Sequence, residues 1–286
     1  MTSTAHPPPH SAMRYRVERS LGQGGLGEVF LAYDARLKRH VALKRLSDPE
    51  GFVVEGSPYE RAWREAVYLA AVQHPNVVTV YDFGSDAFGP FLIMELVQGE
   101  TLDAVVARGA FPLNDFRLLA RQTLEGLAAA HRAGLLHRDL KPANIMLRYG
   151  PTGELQVKIL DFGIARYSPE LDAPAARTRS QPPPSRSVLG TVEFMAPEQF
   201  EFQPLTQRGE LYSLGCIFYY ALTGHDPFRG GTTEEIIASH LHGALTPLDE
   251  MRCDLPPALC AWVMRLLSRQ PAGRPPTVQA ALAEFL

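Results

Sequence analysis

A chain of 286 residues provides enough material for one bilobal domain, or for two modest domains, with a substantial hydrophobic core. The formal net charge of −3, from 28 Lys and Arg against 31 Asp and Glu, argues against binding of nucleic acid or an anionic membrane. The cysteines Cys216, Cys253 and Cys260 lack metal-ligand spacing and form no even disulfide framework, which favours a reducing compartment. The most apolar stretch, Leu211–Thr223, is too short to span a bilayer and suits a buried core helix. We therefore expect a soluble, cytoplasmic protein without a membrane segment.

Residues 1–12, with three consecutive prolines, are predicted to be a disordered tail.

The first patterned region after this tail is a glycine-rich turn between two predicted strands. Alternating apolar side chains at 15–21 and 29–33 predict the strands, and Gly22–Val29 (GQGGLGEV) joins them. Glycines allow backbone N–H groups to approach phosphates with no Cβ in the way. For this motif taken alone, a plain glycine hairpin without a ligand is the alternative.

The next strand is predicted at Val41-Ala42-Leu43-Lys44. Because side chains alternate along a strand, Val41 and Leu43 share one face, whereas Ala42 and Lys44 share the other. Small Ala42 and the ammonium group of Lys44 would then point into one cleft. Most lysines on strands are instead solvated edge residues.

The further predicted elements are a helix at 59–73, strands at Val77–Phe83 and Phe91–Glu95, and a helix at 112–133. The apolar stripe of the first helix is predicted to consist of Trp63, Ala66, Val67, Ala70 and Ala71, and that of the second of Phe116, Leu119, Ala120, Leu124 and Leu127. The pattern is lost at residues 95–99, as expected of a hinge. Strands therefore lie mostly before this hinge and helices after it.

The strongest chemical signal is His137-Arg138-Asp139-Leu140-Lys141-Pro142-Ala143-Asn144, followed by Asp161-Phe162-Gly163. Asp139 can accept the proton of a hydroxyl group, and the ammonium group of Lys141 can offset charge on a transferring phosphoryl group. Asn144 and Asp161 carry hard oxygen ligands that suit Mg²⁺. Together these side chains can hold a polyphosphate with a divalent metal and orient a hydroxyl group toward it.

Two stretches of different composition follow Asp161-Phe162-Gly163. Residues 168–187 are rich in proline and poor in large apolar side chains, so they are predicted not to order by themselves. A patterned stretch returns at Gly190–Glu198 (GTVEFMAPE).

These motifs resemble those of the bacterial eukaryotic-like (Hanks-type) Ser/Thr protein kinases from about Met13 to the last residue. The resemblance implies an α+β, bilobal protein-kinase fold with a small β-rich N-lobe containing one long helix, a larger, mainly helical C-lobe and an ATP cleft between them. The implied boundaries are a tail at 1–12 and a kinase domain at 13–286, with N-lobe 13–94, hinge 95–99, C-lobe 100–286 and activation segment 161–198.

The same resemblance implies a signalling enzyme that phosphorylates Ser and Thr hydroxyl groups of protein substrates, with ATP and Mg²⁺ as cofactors. The implied catalytic residues are Asp139, Lys141, Lys44, Glu65 and Thr191, and the implied metal ligands are Asn144 and Asp161. The implied ATP-binding residues are Leu21, Gly22, Gln23, Gly24, Gly25, Leu26, Gly27, Val29, Ala42, Lys44, Met94, Glu95, Val97 and Met146.

Several structural roles also follow from the resemblance. Glu65 is the implied partner of Lys44, with Glu60 as a rival, and His137 is expected to pack with Leu69 and Phe162 rather than act as an acid or base. Glu198 is expected to pair with Arg274. A helix is predicted to start at Glu210, and the resemblance implies Asp rather than Glu at this position. In the family, this Asp accepts hydrogen bonds from the backbone around the His-Arg-Asp motif.

A pseudokinase that binds nucleotide without turnover is the main alternative, suggested by Glu210. A small-molecule kinase is disfavoured by the Ala196-Pro197-Glu198 segment and by Lys141. In relatives that carry an Arg-Asp pair at the position of Arg138 and Asp139, the arginine binds a phosphate from the activation segment. The resemblance therefore predicts activating autophosphorylation through self-association. Candidate acceptors are Ser168, Thr178, Ser180, Ser185 and Ser187, with Ser185 and Ser187 favoured; the alternative is that all five are ordinary polar loop residues.

Overall fold

The computed structural model describes residues 14–24, 27–46, 66–151, 153–162 and 192–285. The predicted tail at 1–12 and most of the predicted activation segment lie outside these ranges. The chain divides into two compact units, of which the smaller comprises Met1–Ala71 and Thr79–Val97 and the larger Val72–Val78 and Gln98–Leu286. The smaller unit contains a five-stranded sheet, and most helices belong to the larger unit, in agreement with the predicted α+β class.

The smaller unit is built on an antiparallel sheet with strand order β1-β2-β3-β5-β4. Its strands are β1 (Tyr15–Gly24), β2 (Gly27–Asp34), β3 (Arg39–Arg45), β4 (Val80–Asp86) and β5 (Gly89–Met94). One buried cluster consists of Tyr15, Ala32, Val41, Leu43, Phe91 and Ile93. Since Val41 and Leu43 enter this core, the alternation of side chains directs Ala42 and Lys44 to the opposite face of β3, as predicted.

The helix predicted at 59–73 is described at residues 66–71, here called α1. Ala66 and Leu69 are buried, whereas Val67 is half exposed and the two alanines at 70 and 71 are exposed. The predicted stripe was therefore wrong for three of its residues. Alanines on both faces of the helix give little contrast in hydrophobicity, so the pattern did not define which face is buried.

The segment Val72–Val78 belongs to the larger unit, although the N-lobe was predicted to be continuous from 13 to 94. The side-chain amide of Asn76 donates to Gln122 Oε1 and to the carbonyl of Val157, both at 2.8 Å. The backbone of Val78 donates to Ile159 O at 2.9 Å. The strand predicted at Val77–Phe83 is accordingly wrong in its first residues, because their backbone bonds to the larger unit and β4 begins only at Val80.

The larger unit combines a small sheet with helices. The sheet has the order β6 (Glu100–Thr101), β7 (Ile145–Tyr149) and β8 (Leu155–Ile159). The α-helices are α2 (Leu102–Val106), α3 (Leu113–Arg132), α4 (Pro197–Phe200), α5 (Gln207–Thr223), α6 (Thr233–His242), α7 (Leu248–Met251), α8 (Pro257–Leu266) and α9 (Val278–Phe285). Short 3₁₀ helices lie at Pro142–Asn144, Val192–Phe194 and Pro271–Gly273.

Helix α5 is the central element of this unit. It is apolar on nearly all sides and buried along most of its length, as predicted for Leu211–Thr223. Phe218 packs edge-on against Phe116 of α3, with ring centroids 5.5 Å apart, and stacks on Trp262 of α8 at 5.8 Å. The five apolar residues predicted to face inward from α3 are all buried. Within the described residues, no helix combines the length and apolarity needed to cross a membrane.

Candidate active site

The candidate catalytic residues lie in the connection between α3 and β7. Helix α3 ends at Arg132, and Gly134, with φ of 77°, takes the left-handed conformation that commonly follows a helix. The chain then continues to the 3₁₀ turn Pro142–Asn144, where Asn144 N–H donates to Lys141 O at 3.0 Å. This turn brings Asn144 back toward Asp139.

Asp139 is buried and held by two of the predicted residues. Lys141 Nζ lies 2.9 Å from Asp139 Oδ2. The side-chain amide nitrogen (Nδ2) of Asn144 donates to the backbone carbonyl of Asp139 at 2.7 Å and lies 3.2 Å from Asp139 Oδ2. The carboxylate therefore has a defined orientation beside a positive charge.

The two predicted metal ligands meet at one end of the β7–β8 hairpin. Ile145 and Ile159 are paired in this hairpin, and Leu160 N–H donates to Asn144 O at 2.8 Å. Asp161 follows directly, with φ of 51°. Because Asn144 Nδ2 is engaged by Asp139, its side-chain oxygen is the atom available as a metal ligand. An amide oxygen and a carboxylate suit Mg²⁺, which usually takes one or two protein ligands and completes its shell with phosphate and water.

His137 is fully buried and packs against Phe162, with ring centroids 4.6 Å apart. Its Nδ1 accepts from the backbone N–H of Asp139 at 3.2 Å, so the proton resides on Nε2, which donates to Leu160 O at 2.7 Å. Burial lowers the pKa of His137 and keeps the ring neutral. These contacts describe a packing residue rather than an acid or base; Leu69, its other predicted neighbour, is buried in the smaller unit.

Glu210 accepts a hydrogen bond from the backbone around Asp139, as expected of the residue at this position. Its Oε1 lies 2.8 Å from Arg138 N, and its Oε2 lies 2.6 Å from Nε2 of His131. The helix was predicted to start at Glu210 but begins at Gln207, so Glu210 belongs to its first turn. His131 was not among the predicted residues, because a histidine near the end of an amphipathic helix carries no pattern that reveals a buried partner 79 positions away.

In the smaller unit, Lys44 is buried in β3, where it pairs in register with Val29 of β2 and Leu92 of β5. Gly27 begins β2 with φ of 132°, and a Cβ there would collide with the carbonyl oxygen of Arg45, so this position requires glycine. Of the other predicted ATP-binding residues, Leu21, Gly22 and Gln23 are exposed on β1, Gly24 ends β1, Ala42 and Met94 are buried, and Glu95, Val97 and Met146 are half-buried.

One backbone group of the predicted hinge residue Glu95 is already hydrogen-bonded. Its N–H donates to Thr79 O at 2.8 Å, and both residues belong to the smaller unit. Any use of the Glu95 backbone for an adenine edge must therefore involve its carbonyl group. The predicted site residues that lie outside the described ranges are Gly25, Leu26, Glu65, Thr191, Ser185 and Ser187.

The protein kinase domain family matches residues 15–286. The chain belongs to the protein kinase family. Among curated proteins, Ser/Thr-protein kinase pkn2 of Myxococcus xanthus is 40% identical over 264 residues, which cover 92% of this chain and 31% of that protein. Ser/Thr-protein kinase PknB of Mycobacterium leprae is 34% identical, with 98% of this chain and 43% of that protein covered. This kinase domain thus spans less than half the length of either relative.

A solved kinase structure, Rad53 1–466 in complex with AMP-PNP, has a TM-score of 0.74 and 26% identity, covering 96% of this chain and 66% of that chain. The predicted resemblance to bacterial Ser/Thr kinases and the predicted bilobal kinase fold are confirmed.

The kinase domain also contains the predicted architectural ion pair. Arg274 is fully buried and binds both carboxylate oxygens of Glu198, at 2.7 and 2.9 Å. Its remaining N–H groups donate to the carbonyl groups of Ser268, Arg208 and Arg269 at 2.7 to 2.9 Å. All five guanidinium donors are therefore used, which is the condition under which a buried arginine is tolerated.

Proposed function

We propose that this kinase domain is active and transfers the γ-phosphoryl group of ATP to Ser or Thr hydroxyl groups of protein substrates. The observation that carries the proposal is the arrangement of Asp139, Lys141 and Asn144, with Oδ2 of Asp139 2.9 Å from the lysine ammonium and 3.2 Å from the asparagine amide. Lys44, Asp139, Asn144 and Asp161 are all present, which argues against the pseudokinase alternative.

In this mechanism Asp139 orients the substrate hydroxyl and accepts its proton as the phosphoryl group transfers. Lys141 lies beside Asp139 and offsets negative charge on the transferring group. Preorganisation is the main contribution of the loop, since it keeps both charges in place before the substrate arrives.

For the nucleotide, we assign the adenine edge to the carbonyl of Glu95 and the backbone of Val97, the phosphates to the glycine hairpin and Lys44, and support of Lys44 to Glu65. Asn144 and Asp161 would hold Mg²⁺, which neutralises charge on the phosphate oxygens when bound. Roles in signalling, a cytoplasmic location and the lack of nucleic-acid binding stay predictions.

The test is a radiolabelled ATP assay with a generic basic protein, using wild type, Lys44→Met and Asp161→Asn. Met keeps the buried stem of Lys44, and Asn tolerates the positive φ of Asp161, so both variants should fold. We expect each to lose at least about a hundredfold in activity, because an electrostatic contact to the transferring group is removed. We also expect loss of the rise in melting temperature that Mg-ATP gives the wild type.

Near-wild-type transfer by Lys44→Met would contradict the site assignment. An inactive wild type that is still stabilised by Mg-ATP would instead support the pseudokinase alternative. Circular dichroism of all three proteins controls for unfolding.

A further inference from the structure

We infer that Arg45 is a positioning residue for the nucleotide site, because it fixes the end of strand β3 directly after Lys44. This rests on the proposed function, which assigns Lys44 to the phosphates of ATP. Two observations carry it, the ion pair of Arg45 with Asp86 and the close approach of Gly27 to the Arg45 backbone. All four residues belong to the smaller unit.

The side chain of Arg45 is held by the hairpin of β4 and β5. Its Nη1 and Nη2 atoms donate to the two carboxylate oxygens of Asp86 at 2.6 and 2.8 Å. The two side chains are only 19% and 14% exposed, so solvent screens this pair less than a surface pair. Asp86 is fixed in turn, since its Oδ1 accepts the backbone N–H of Phe88 at 2.9 Å. Such a bidentate contact determines the orientation of the guanidinium group as well as its distance from the carboxylate.

Two aromatic rings of the same hairpin also lie near the guanidinium group of Arg45. Its Cζ is 5.3 Å from the ring centroid of Phe88 and 5.6 Å from that of Phe91, within the range of cation–π attraction. Phe91 belongs to the buried cluster of the sheet, so Arg45 lies beside that core. The attachment continues past the strand, because Leu46 N–H donates to Pro90 O at 3.0 Å.

The end of β3 is next to both parts of the predicted phosphate site. Lys44 directly precedes Arg45 and pairs in register with Val29 of β2. Gly27, the last glycine of the predicted glycine hairpin, lies so close to the carbonyl group of Arg45 that a Cβ at Gly27 would collide with it. One residue therefore restrains the backbone that carries the Lys44 ammonium group and the surface on which Gly27 rests.

The restraint matters because strands are most mobile at their ends, and β3 ends at Arg45. Without the ion pair, the last residue of β3 would lose its side-chain attachment to the β4–β5 hairpin. Lys44 and Gly27 would then occupy a wider range of positions. Since both are assigned to the phosphates, use of ATP should weaken, whereas Asp139 in the larger unit should keep its contacts.

The experiment measures kinetic constants for ATP and for the generic basic protein in Arg45→Met, in Asp86→Asn and in the variant with both changes. Met keeps much of the aliphatic stem but has no charge, and Asn keeps an acceptor for the Phe88 N–H. Hydrogen exchange of the nucleotide-free proteins reports separately on the backbone of β3.

The matched control is Arg14→Met. Arg14 makes a comparable, partly buried pair with Asp34 at 2.9 Å. Asp34 pairs in register with the first residue of β1, at the end of the β1–β2 ladder opposite to Gly27. This variant should lower the melting temperature without changing the constants for ATP, so lost stability alone cannot imitate the result.

For Arg45→Met we expect kcat/KM for ATP to fall about fivefold or more, while KM for the protein substrate changes by less than about twofold, because displaced phosphate-binding groups affect only the nucleotide. Asp86→Asn and the double variant should show the same loss, since the pair acts as a unit. The backbone amides of residues 43–46 should exchange faster than in the wild type and in Arg14→Met.

Unchanged kcat/KM for ATP in Arg45→Met, an equal loss in Arg14→Met, or additive losses in the double variant would overturn the inference. If Arg45→Met does not fold, Arg45→Lys replaces it, because lysine keeps the charge but cannot make the bidentate contact. Failure of both to fold would also overturn the inference, since the role of Arg45 would then be structural. An inactive wild type would count against the proposed function, and Mg-ATP affinity from calorimetry, together with hydrogen exchange, would then decide this inference.

Discussion

Four non-glycine residues in the described part of the chain have positive φ, namely Lys38, Arg138, Asp161 and Phe202, and two of these belong to the candidate active site. Such conformations persist only where surrounding contacts hold them, and they concentrate at functional sites. For Arg138, one such contact is the hydrogen bond from its backbone N–H to the carboxylate of Glu210. A hydrogen bond to a charged group contributes roughly 1.5–3 kcal/mol, so this contact helps to stabilise the left-handed backbone.

The same contacts show how Glu210 can serve at a position where the resemblance implies aspartate. Its carboxylate keeps the contact to Arg138 and gains a buried partner in His131. We expect Glu210→Ala to lose about 1–3 kcal/mol in the free energy of unfolding, together with activity, because it leaves the Arg138 N–H unpaired. Glu210→Asp should retain activity, since it keeps the charge and the acceptor. Urea denaturation and the kinase assay check both, and an Ala variant that matches wild type would contradict the role of Glu210.

A third buried histidine, His240, lies in a different environment from His131 and His137. Its Nδ1 shares a 2.8 Å hydrogen bond with the Tyr212 hydroxyl, and its ring centroid lies 4.5 Å from that of Phe228. These neighbours offer no negative charge to stabilise a protonated ring. Burial, with the nearby positive charge of Arg269, lowers the pKa of His240 from 6.5 to about 4.

The pKa of His240 predicts how stability depends on pH. The unfolded chain binds this proton below about pH 6.5 and the folded chain only below about pH 4, so the contribution is complete above pH 6.5 and declines as pH falls toward 4. The size of the effect is about 3 kcal/mol. In His240→Gln, which keeps a partner for Tyr212 but does not titrate, the free energy of unfolding should decline less steeply over this range. Parallel curves for variant and wild type in urea titrations would show that His240 does not titrate in this way.

At the scale of elements, the Glu198–Arg274 pair joins the first turn of α4 to the segment before α9. Removing one member of a buried pair leaves the other charge without compensation, which typically costs about 3–5 kcal/mol. We therefore expect Arg274→Met to lower the free energy of unfolding by that amount, measured in urea. The matched control is Arg265→Met, which breaks the half-exposed pair with Glu284 at 2.8 Å and should cost no more than about 1 kcal/mol. Equal losses in the two variants would mean that burial does not determine the importance of these pairs.

The elements also show what could be predicted from the sequence and what could not. Strong periodicity was sufficient to predict the strands of the five-stranded sheet and the helices α3 and α5. The catalytic motif was sufficient to predict that Asp139, Lys141 and Asn144 lie together. The assignment of 72–78 failed because the partners of Asn76 and Val78 are more than 40 residues away and leave no local pattern. The buried contact between His131 and Glu210 was missed for the same reason. Hydrogen bonds between residues far apart in the chain depend on tertiary packing, which leaves no recognisable pattern in a single sequence.

At the scale of the whole molecule, residues 163–191 of the predicted activation segment (161–198) lie outside the described residues. Arg138 contributes its backbone N–H to Glu210, and we propose that its guanidinium group responds to a phosphate formed in this segment. One residue would then connect the strained loop, through its backbone, with the phosphorylation state, through its side chain.

The prediction is that the purified protein phosphorylates itself at Ser185 or Ser187, and that one molecule modifies another. Changing both residues to Ala should lower the rate on an external substrate with little change in ATP affinity, because the phosphate orders the segment rather than the nucleotide site. Peptide mapping after incubation with Mg-ATP locates the phosphate, and Lys44→Met offered as substrate to wild type tests transfer between molecules. The matched control changes Thr178 and Ser180 to Ala, which should leave the rate unchanged. If phosphate appears only outside 168–191, or if the Ser185 and Ser187 double variant is fully active, the control of activity lies elsewhere in the chain.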